Sequence, residues 1–335
     1  MAMPDDHFHA LAEGQYDAAK AALSRVIGSP PIDAVCPLSG GATAAAIFRV
    51  DAGGRCYLLR IEGPASPLRN PHQYVSLRIA AEAGIAPRLH HFDEAARVAV
   101  IDFIEHQPLS IFPGGPPALA RALGELLDRL QATPVFPHFV DYPDIVARLW
   151  AHVCRTGLFA TGALDAASER LAQIRESYVW DRNYSVSSHN DSIPANILFD
   201  GRRLWMIDWE SAYRNDPLVD VAIISDNLAR TPELEAMLLQ AWLGRPPDEA
   251  LHWRLKLVRA LTRLYYAGVL FSASATFPRD APDTDIMAPT LPAFREAVSN
   301  GRLTPGTAET KHVLGKMFLA SFLTGGLTPG FDAAV

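Results

Sequence analysis

Three oxygen-bearing side chains, Asp191, Asn196 and Asp208, surround a short hairpin pattern in this sequence. Asn196 follows Asp191 by five residues, and Asp208 ends the apolar run that returns from the turn Asp200-Gly201. Because Asp-Gly between two apolar runs favours a tight hairpin, Asn196 and Asp208 are predicted to lie near each other. A carboxamide and a carboxylate are hard oxygen ligands that suit Mg²⁺ when phosphate oxygens complete its shell. Asp191, in the preceding loop, is placed to accept a proton from an attacking hydroxyl.

This spacing is typical of phosphoryl transfer, in which a loop Asp accepts the substrate proton while an Asn and a later Asp hold the metal. Taken singly, each of the three residues is better explained as a loop cap or a strand-end carboxylate. Their joint spacing favours a catalytic interpretation. We therefore predict Asp191 as the catalytic base and Asn196 and Asp208 as ligands of Mg²⁺.

The stretch 189–222 resembles the choline/ethanolamine kinase and aminoglycoside phosphotransferase superfamily, and is most similar to its bacterial choline kinase-like members. The segments that carry the resemblance are His189-Asn190-Asp191, Asn196-Ile197-Leu198, Ile207-Asp208-Trp209-Glu210, Asn215-Asp216-Pro217 and Asp220-Val221-Ala222. The resemblance implies a two-lobed, protein-kinase-like fold of the α+β class, with a small antiparallel-sheet N-lobe and a larger, mainly helical C-lobe. It also implies ATP and Mg²⁺ as cofactors, and a buried Asp220 that braces the catalytic loop.

The amino-terminal third agrees with this resemblance. Ser39-Gly40-Gly41 resembles the loop that covers the nucleotide, although by itself it would equally suit an ordinary turn. Arg60 stands where the third strand of the family carries the basic residue that contacts the ATP phosphates. Phe103 and Ile104 stand where the hinge strand offers backbone hydrogen bonds to adenine.

One position departs from the family pattern. The helix Glu that pairs with the basic strand residue is expected near position 73, where this chain has Gln73. A neutral amide can form a hydrogen bond with Arg60 but cannot neutralise it. Either the pair is weaker here, or Glu62 or Glu82 supplies the charge, or the helix register differs.

The acceptor site is the least determined part of the sequence. Glu210, Tyr265 and Tyr266 are the candidate substrate residues, and Trp253 and Phe271 lie on the same helical stretch. An aromatic cage suits a quaternary ammonium group through cation–π attraction, although ordinary helix packing also places aromatic residues there. The predicted reaction transfers the ATP γ-phosphate to a small hydroxylated substrate, with choline or a related amino alcohol as the leading acceptor. An aminoglycoside or another hydroxylated metabolite is the alternative, and a non-catalytic nucleotide-binding protein is the alternative of another class.

The pattern of apolar residues and turns predicts where these residues sit. In the N-terminal nucleotide-binding lobe, 1–104, we expect helices at 8–27 and 70–83 and strands at 47–50, 56–61, 89–92 and 97–104. The Pro- and Gly-rich stretch 105–117 is predicted to begin the C-terminal catalytic and substrate-binding lobe, 105–335. There we expect helices at 118–131, 143–157, 163–178 and 306–323, mostly helical chain from 217 to 275, and a loop at 276–293.

Composition narrows the class of protein. Of 335 residues, 49% are hydrophobic, which is enough for a sizeable core. The net charge of −7 weighs against a nucleic-acid partner, since phosphate binding needs basic patches. We expect no membrane segment, because no apolar run of about 18 residues occurs, and no signal peptide, so a cytoplasmic location is predicted. Three widely spaced cysteines indicate free thiols, and the sequence does not indicate an oligomeric state.

Overall fold

The structure of the protein is a computed structural model, and it describes residues 13–28, 30–38, 45–63, 70–277, 279, 281–326 and 329. The chain divides into two compact units. The first comprises Met1–Ile111 and Ile197–Ala212, and the second comprises Phe112–Asn196 and Tyr213–Val335. The chain therefore passes from the second unit into the first between Asn196 and Ile197.

The elements follow one another in chain order as a sheet-rich first third and a helical remainder. The helices are α1 (Glu13–Ile27), α2 (Gln73–Glu82), α3 (Gly115–Gln131), α4 (Tyr142–Arg155), α5 (Asp165–Ser177), α6 (Leu218–Leu228), α7 (Pro232–Leu243), α8 (Glu249–Ser274), α9 (Leu291–Ser299) and α10 (Ala308–Thr324). The strands are β1 (Ile32–Pro37), β2 (Ala46–Ala52), β3 (Arg55–Ile61), β4 (Leu89–Asp93), β5 (Val98–Asp102), β6 (Val186–Ser188), β7 (Ile197–Phe199), β8 (Leu204–Met206) and β9 (Tyr213–Asn215).

The first unit is built on a five-stranded antiparallel sheet with the order β1-β2-β3-β5-β4. Phe48, Val50 and Ala52 alternate with more exposed residues along β2, so one face of the sheet is apolar. Buried residues of α1, such as Leu23, join this face in one core. The predicted hairpin β2–β3 and the strands β4 and β5 are confirmed, whereas β1 was not predicted.

The short hairpin β7–β8 also belongs to the first unit. Ile197 pairs with Met206, and the Asp200 carboxylate accepts hydrogen bonds at 2.8 Å from the backbone N–H groups of Arg202 and Arg203 across the predicted turn. The Met206 N–H donates to the Ile85 carbonyl, which ties the hairpin to the chain after α2. The predicted boundary divides the chain once, at residue 105, and therefore assigns this hairpin to the C-terminal lobe. The hydrogen bond that ties the hairpin to the first unit joins residues far apart in the chain, and such a bond leaves no local sequence pattern.

The second unit is mainly helical. The long helix α8 begins at its N-cap Asp248, which accepts the Leu251 N–H at 2.8 Å, and it packs against α4, α6 and α10. A Cβ at Gly315 of α10 would lie 2.7 Å from the Phe271 ring of α8, so glycine permits this close approach. The predicted helices are present, and α9 is an additional one that begins inside the predicted loop. Among the described residues, no helix combines the length and apolarity needed to cross a bilayer.

Candidate active site

In the second unit, hydrogen bonds to Asp220 of α6 hold the loop that follows β6. This carboxylate is fully buried and accepts hydrogen bonds from the Ser188 hydroxyl at 2.8 Å and from the backbone N–H groups of His189 at 2.8 Å and Asn190 at 2.9 Å. The Ser192 hydroxyl also donates to it. Asp220 therefore holds the backbone that precedes Asp191 and the side chain of the residue that follows it, which is the bracing that the resemblance implies.

Asn190 takes a left-handed backbone conformation, with φ of 61°. Asn tolerates this region better than most residues, because its short polar side chain can bond locally. Its amide nitrogen donates to the Tyr213 carbonyl at 3.1 Å, and its amide oxygen accepts from Asn215 at 2.9 Å. These bonds to the chain at β9 hold the sharp bend that precedes Asp191. The Asn215-Asp216-Pro217 motif thus contributes to the loop.

Both carboxylate oxygens of Asp191 accept hydrogen bonds from side chains. Tyr266 of α8 donates its hydroxyl to Oδ1 at 2.9 Å, and Asn196 donates Nδ2 to Oδ2 at 3.0 Å. Burial raises the pKa of Tyr266 well above its ordinary value, and the negative charge of Asp191 raises it further, so Tyr266 stays a proton donor. Sequence reasoning assigned Tyr266 to the substrate and missed its bond to Asp191, which joins residues 75 positions apart.

The aromatic candidates of α8 do not gather in one place. Tyr265 is half-buried, with ring centroids 5.9 Å from Tyr142 and 5.5 Å from Tyr266. Trp253 is 68% exposed and lies twelve positions before Tyr265, which is about 18 Å along the helix axis. Phe271 is fully buried and packs against Phe159. Of these residues Tyr266 is the one whose contact with Asp191 is described, Tyr265 lies beside Tyr266, and Phe271 is a core residue.

In the first unit, Glu62 receives three hydrogen bonds on one carboxylate oxygen. Arg60 donates Nε to Glu62 Oε1 at 3.0 Å, Gln73 donates Nε2 to the same atom at 3.0 Å, and the Tyr74 hydroxyl donates to it at 2.5 Å. The Glu62 side chain is 2% exposed. The sequence left open which residue pairs with Arg60. In the structure Glu62 is that partner, and Gln73 donates a hydrogen bond to Glu62.

Arg60 also contacts two carboxylates of the chain after β8. Its Nη1 lies 3.5 Å from Asp208 Oδ1, and its Nη2 forms an ion pair with Glu210. Burial by itself would lower the pKa of the Arg60 guanidinium, but the charges of Glu62 and Asp208 outweigh this effect and raise it. Arg60 is therefore a permanent positive charge. Glu210, predicted as a substrate residue, is an ion-pair partner of Arg60 here.

Two features of the predicted metal ligands fit a divalent cation. Asp208 has a left-handed φ of 60°, and within the part of the chain that the structure describes its buried Oδ1 makes no hydrogen bond. Asn196 uses its amide nitrogen for Asp191, which leaves the amide oxygen, the atom that Mg²⁺ prefers, for other partners. No group of three or more His, Cys, Asp or Glu among the described residues could hold a metal, so the predicted site depends on phosphate oxygens to complete the shell.

The remaining predicted nucleotide contacts differ in outcome. The Phe103 N–H donates to the Cys56 carbonyl at 3.1 Å, continuing the sheet beyond the end of β5, so it is not the donor available to adenine. This leaves the Phe103 carbonyl and the backbone of Ile104 as the groups that the prediction can use. Ser39, Gly40 and Gly41 lie outside the described residues.

A family model described as "Phosphotransferase enzyme family" (APH) matches residues 34–254, more than half of the chain. The chain belongs to this phosphotransferase family. Its matched region contains Arg60, Glu62, Asp191, Asn196 and Asp208. The predictions of the family and of a phosphotransferase enzyme class are thus confirmed.

The phosphotransferase is similar in fold to solved kinases. A choline/ethanolamine kinase family protein from Mesorhizobium loti aligns with a TM-score of 0.59 and 23% identity, covering 90% of this chain and 99% of that one. A spectinomycin phosphotransferase in complex with ADP and spectinomycin aligns with a TM-score of 0.54 and 13% identity, covering 76% and 88%. These alignments, with the antiparallel sheet and the helical unit, confirm the predicted fold class.

Among curated proteins, the phosphotransferase is similar to the protein LicA of Haemophilus influenzae strain Rd. The two are 35% identical over 77 residues, which is 21% of this chain. The match spans 29% of the length of LicA, less than a third.

Proposed function

We propose that this phosphotransferase transfers the γ-phosphate of ATP to a hydroxyl group of a small molecule, with choline or a related amino alcohol as the acceptor. The observation that carries the proposal is the loop carboxylate Asp191, held on one oxygen by Tyr266 and on the other by Asn196. A surface carboxylate has no need of such restraint. A general base must be held in position, because it acts only within hydrogen-bond distance of the proton that it removes.

In the proposed reaction the acceptor oxygen attacks the γ-phosphorus, and the bond from that phosphorus to the ADP oxygen breaks. Asp191 orients the hydroxyl and accepts its proton. Arg60 binds phosphate oxygens of the nucleotide as a fixed positive charge, and the backbone at Phe103 and Ile104 contacts adenine. Asn196 and Asp208 would hold Mg²⁺, which when bound neutralises negative charge on the phosphates.

The choice of an amino alcohol rests on the surroundings of Asp191. Tyr265, half-buried beside Tyr142 and Tyr266, adds an aromatic surface next to the tyrosine whose hydroxyl donates to Asp191. Aromatic faces attract quaternary ammonium groups by about 0.5–2 kcal/mol per contact. The resemblance to choline kinase-like proteins, and the similarity in fold to a choline/ethanolamine kinase family protein, favour the same class of acceptor.

The proposal is tested by the release of ADP across a panel of acceptors, comparing Asp191→Asn with the wild-type protein. The panel contains choline, ethanolamine, an aminoglycoside and spectinomycin, each with ATP and Mg²⁺. Asn keeps the shape of Asp but cannot take a proton, so kcat should fall by at least about a hundredfold with little change in KM for ATP.

Asp200→Asn is the matched control. Asp200 is also a loop carboxylate, but it accepts hydrogen bonds from backbone N–H groups in the turn of the β7–β8 hairpin. The side-chain oxygen of Asn can accept the same backbone hydrogen bonds. It should retain wild-type kcat. An Asp191→Asn enzyme whose single-turnover rate stays within about threefold of wild type would exclude Asp191 as the base, and turnover of the aminoglycosides alone would exclude the amino alcohol.

A further inference from the structure

We infer that Glu62, and no acidic residue of α2, is the charge partner that positions Arg60 for the nucleotide phosphates in this phosphotransferase. The inference rests on the proposed function, since it concerns the ATP site. In this arrangement α2 supplies neutral hydrogen-bond donors that hold Glu62 in place.

The burial of Glu62 requires a partner of this kind. A carboxylate that is 2% exposed is costly unless it is paired and hydrogen-bonded. Arg60 supplies the charge, and Gln73 and Tyr74 supply two further donors to the same oxygen. All three partners are themselves nearly buried, so this cluster is a fixed part of the fold of the first unit.

The position of α2 explains why residue 73 is an amide. Asn70 and Ser76 each donate to the Ala212 carbonyl at 2.8 Å, and these bonds place the start of α2 beside Glu62. Gln73 Nε2 then lies 3.0 Å from the Glu62 carboxylate. A Glu at this position would bring two buried carboxylates together, and like charges in contact are unfavourable. Glu82, the other acidic candidate, is exposed at the far end of the same helix.

Glu62 binds the Nε edge of the guanidinium and so determines where its other nitrogens point. Nη1 faces Asp208, and Nη2 faces Glu210. Without Glu62, these two acids remain to attract Arg60, and it would be drawn onto them and away from phosphate. The Nε bond to Glu62 therefore fixes one edge of the guanidinium and opposes the pull of Asp208 and Glu210 on its other two nitrogens.

The test is the dissociation constant for ATP with Mg²⁺, measured by titration calorimetry, together with KM values for ATP and the acceptor. Glu62→Gln should weaken ATP binding by about tenfold or more, as expected for losing a hydrogen bond to a charged group. KM for the acceptor should stay within about twofold of wild type. Glu82→Gln is the matched control and should bind ATP as the wild type does.

Non-additivity shows whether Glu62 acts through Arg60. In an Arg60→Ala background, Glu62→Gln should cost less than about twofold in ATP affinity, because the residue that it positions is gone. The double variant Glu62→Gln/Gln73→Glu moves the charge to α2 and keeps the net charge, so it should bind ATP more tightly than Glu62→Gln and unfold at a higher temperature. It also serves if the single variant folds poorly.

The inference is overturned if Glu62→Gln folds and binds ATP within about twofold of wild type, if Glu82→Gln weakens binding equally, or if the Glu62 and Arg60 effects simply add. ATP binding is measured directly, without phosphate transfer. A wild-type protein that binds ATP but transfers no phosphate would therefore contradict the proposed function, and the ATP dissociation constants of the variants would still test the role of Glu62.

Discussion

Removal of the Tyr266 hydroxyl should slow phosphoryl transfer without weakening ATP binding. Tyr266→Phe keeps the buried ring and deletes only the group that donates to Asp191 Oδ1 at 2.9 Å. Asp191 then keeps the Asn196 bond on its other oxygen. A carboxylate held at one oxygen can rotate away from the acceptor hydroxyl, so a smaller fraction of bound complexes is aligned for transfer.

The size of the effect follows from the bond that is lost. Hydrogen bonds to charged groups contribute about 1.5–3 kcal/mol, and each 1.36 kcal/mol of barrier corresponds to about tenfold in rate. Total loss of positioning would therefore cost between about tenfold and about a hundredfold. Because Asn196 still holds Oδ2, the lower limit applies, and we expect kcat to fall by about tenfold.

Tyr142→Phe is the matched control. Tyr142 is buried in the same aromatic group, and its hydroxyl makes no hydrogen bond within the described residues. Its removal should leave kcat unchanged and should not lower the melting temperature, since an unsatisfied buried hydroxyl is unfavourable. Single-turnover rates at saturating acceptor, KM for ATP and thermal unfolding are measured for both variants.

Two outcomes would refute this reasoning. A Tyr266→Phe enzyme with a transfer rate within about twofold of wild type would show that the hydroxyl does not position Asp191. Equal losses in Tyr266→Phe and Tyr142→Phe would show that the aromatic group acts only through packing.

Two further predictions concern the metal and the pH dependence of stability. Asp208→Ala should abolish Mg²⁺-dependent ADP release while circular dichroism and the melting temperature show an intact fold, and near wild-type turnover would refute the metal assignment. Burial would raise the pKa of Asp283, but hydrogen bonds from Lys316 at 2.6 Å and His312 at 2.7 Å outweigh it and lower that pKa from 3.8 to about 2. The folded state thus binds this proton less readily than the unfolded chain, so the stabilisation is present above pH 3.8 and is lost as the pH falls towards 2. Melting temperatures should therefore fall more steeply over this range for wild type than for Asp283→Asn, and parallel curves would contradict the assignment.

Elements with local signals could be predicted from the sequence. The Asp200-Gly201 turn specifies the β7–β8 hairpin, because the Asp200 carboxylate accepts hydrogen bonds from the backbone N–H groups of Arg202 and Arg203. The missed helix α9 also had a signal, since Thr290 caps it and Pro292 stands in its first turn. The Pro- and Asp-rich composition of 276–293 obscured that signal. Strand β1 had none, because its pairing with β2 depends on the rest of the sheet.

The site follows the same division between local and remote partners. Asp191 is fixed by Asn196, five residues away, and by Tyr266, 75 residues away. The first spacing is fixed by the loop itself and was predicted as part of a motif. The bond from Tyr266 depends on the packing of α8 against α6, the helix whose Asp220 holds the loop. The sequence pattern of α8 does not indicate which of its tyrosines contacts the Asp191 carboxylate.

Arg60 shows that a local signal can remain one alternative among several. Residues two apart on an extended chain point to the same side, so Arg60 and Glu62 were placed to meet wherever β3 ended. The family pattern expects the acidic partner near position 73, where the chain has Gln73, and the sequence left open a weaker pair, a charge from Glu62 or Glu82, or a different helix register. In the folded chain Gln73 donates to Glu62 and strengthens the pair. A departure from a family motif therefore has to be judged against every carboxylate within reach, because the charge can move while the guanidinium that it positions remains.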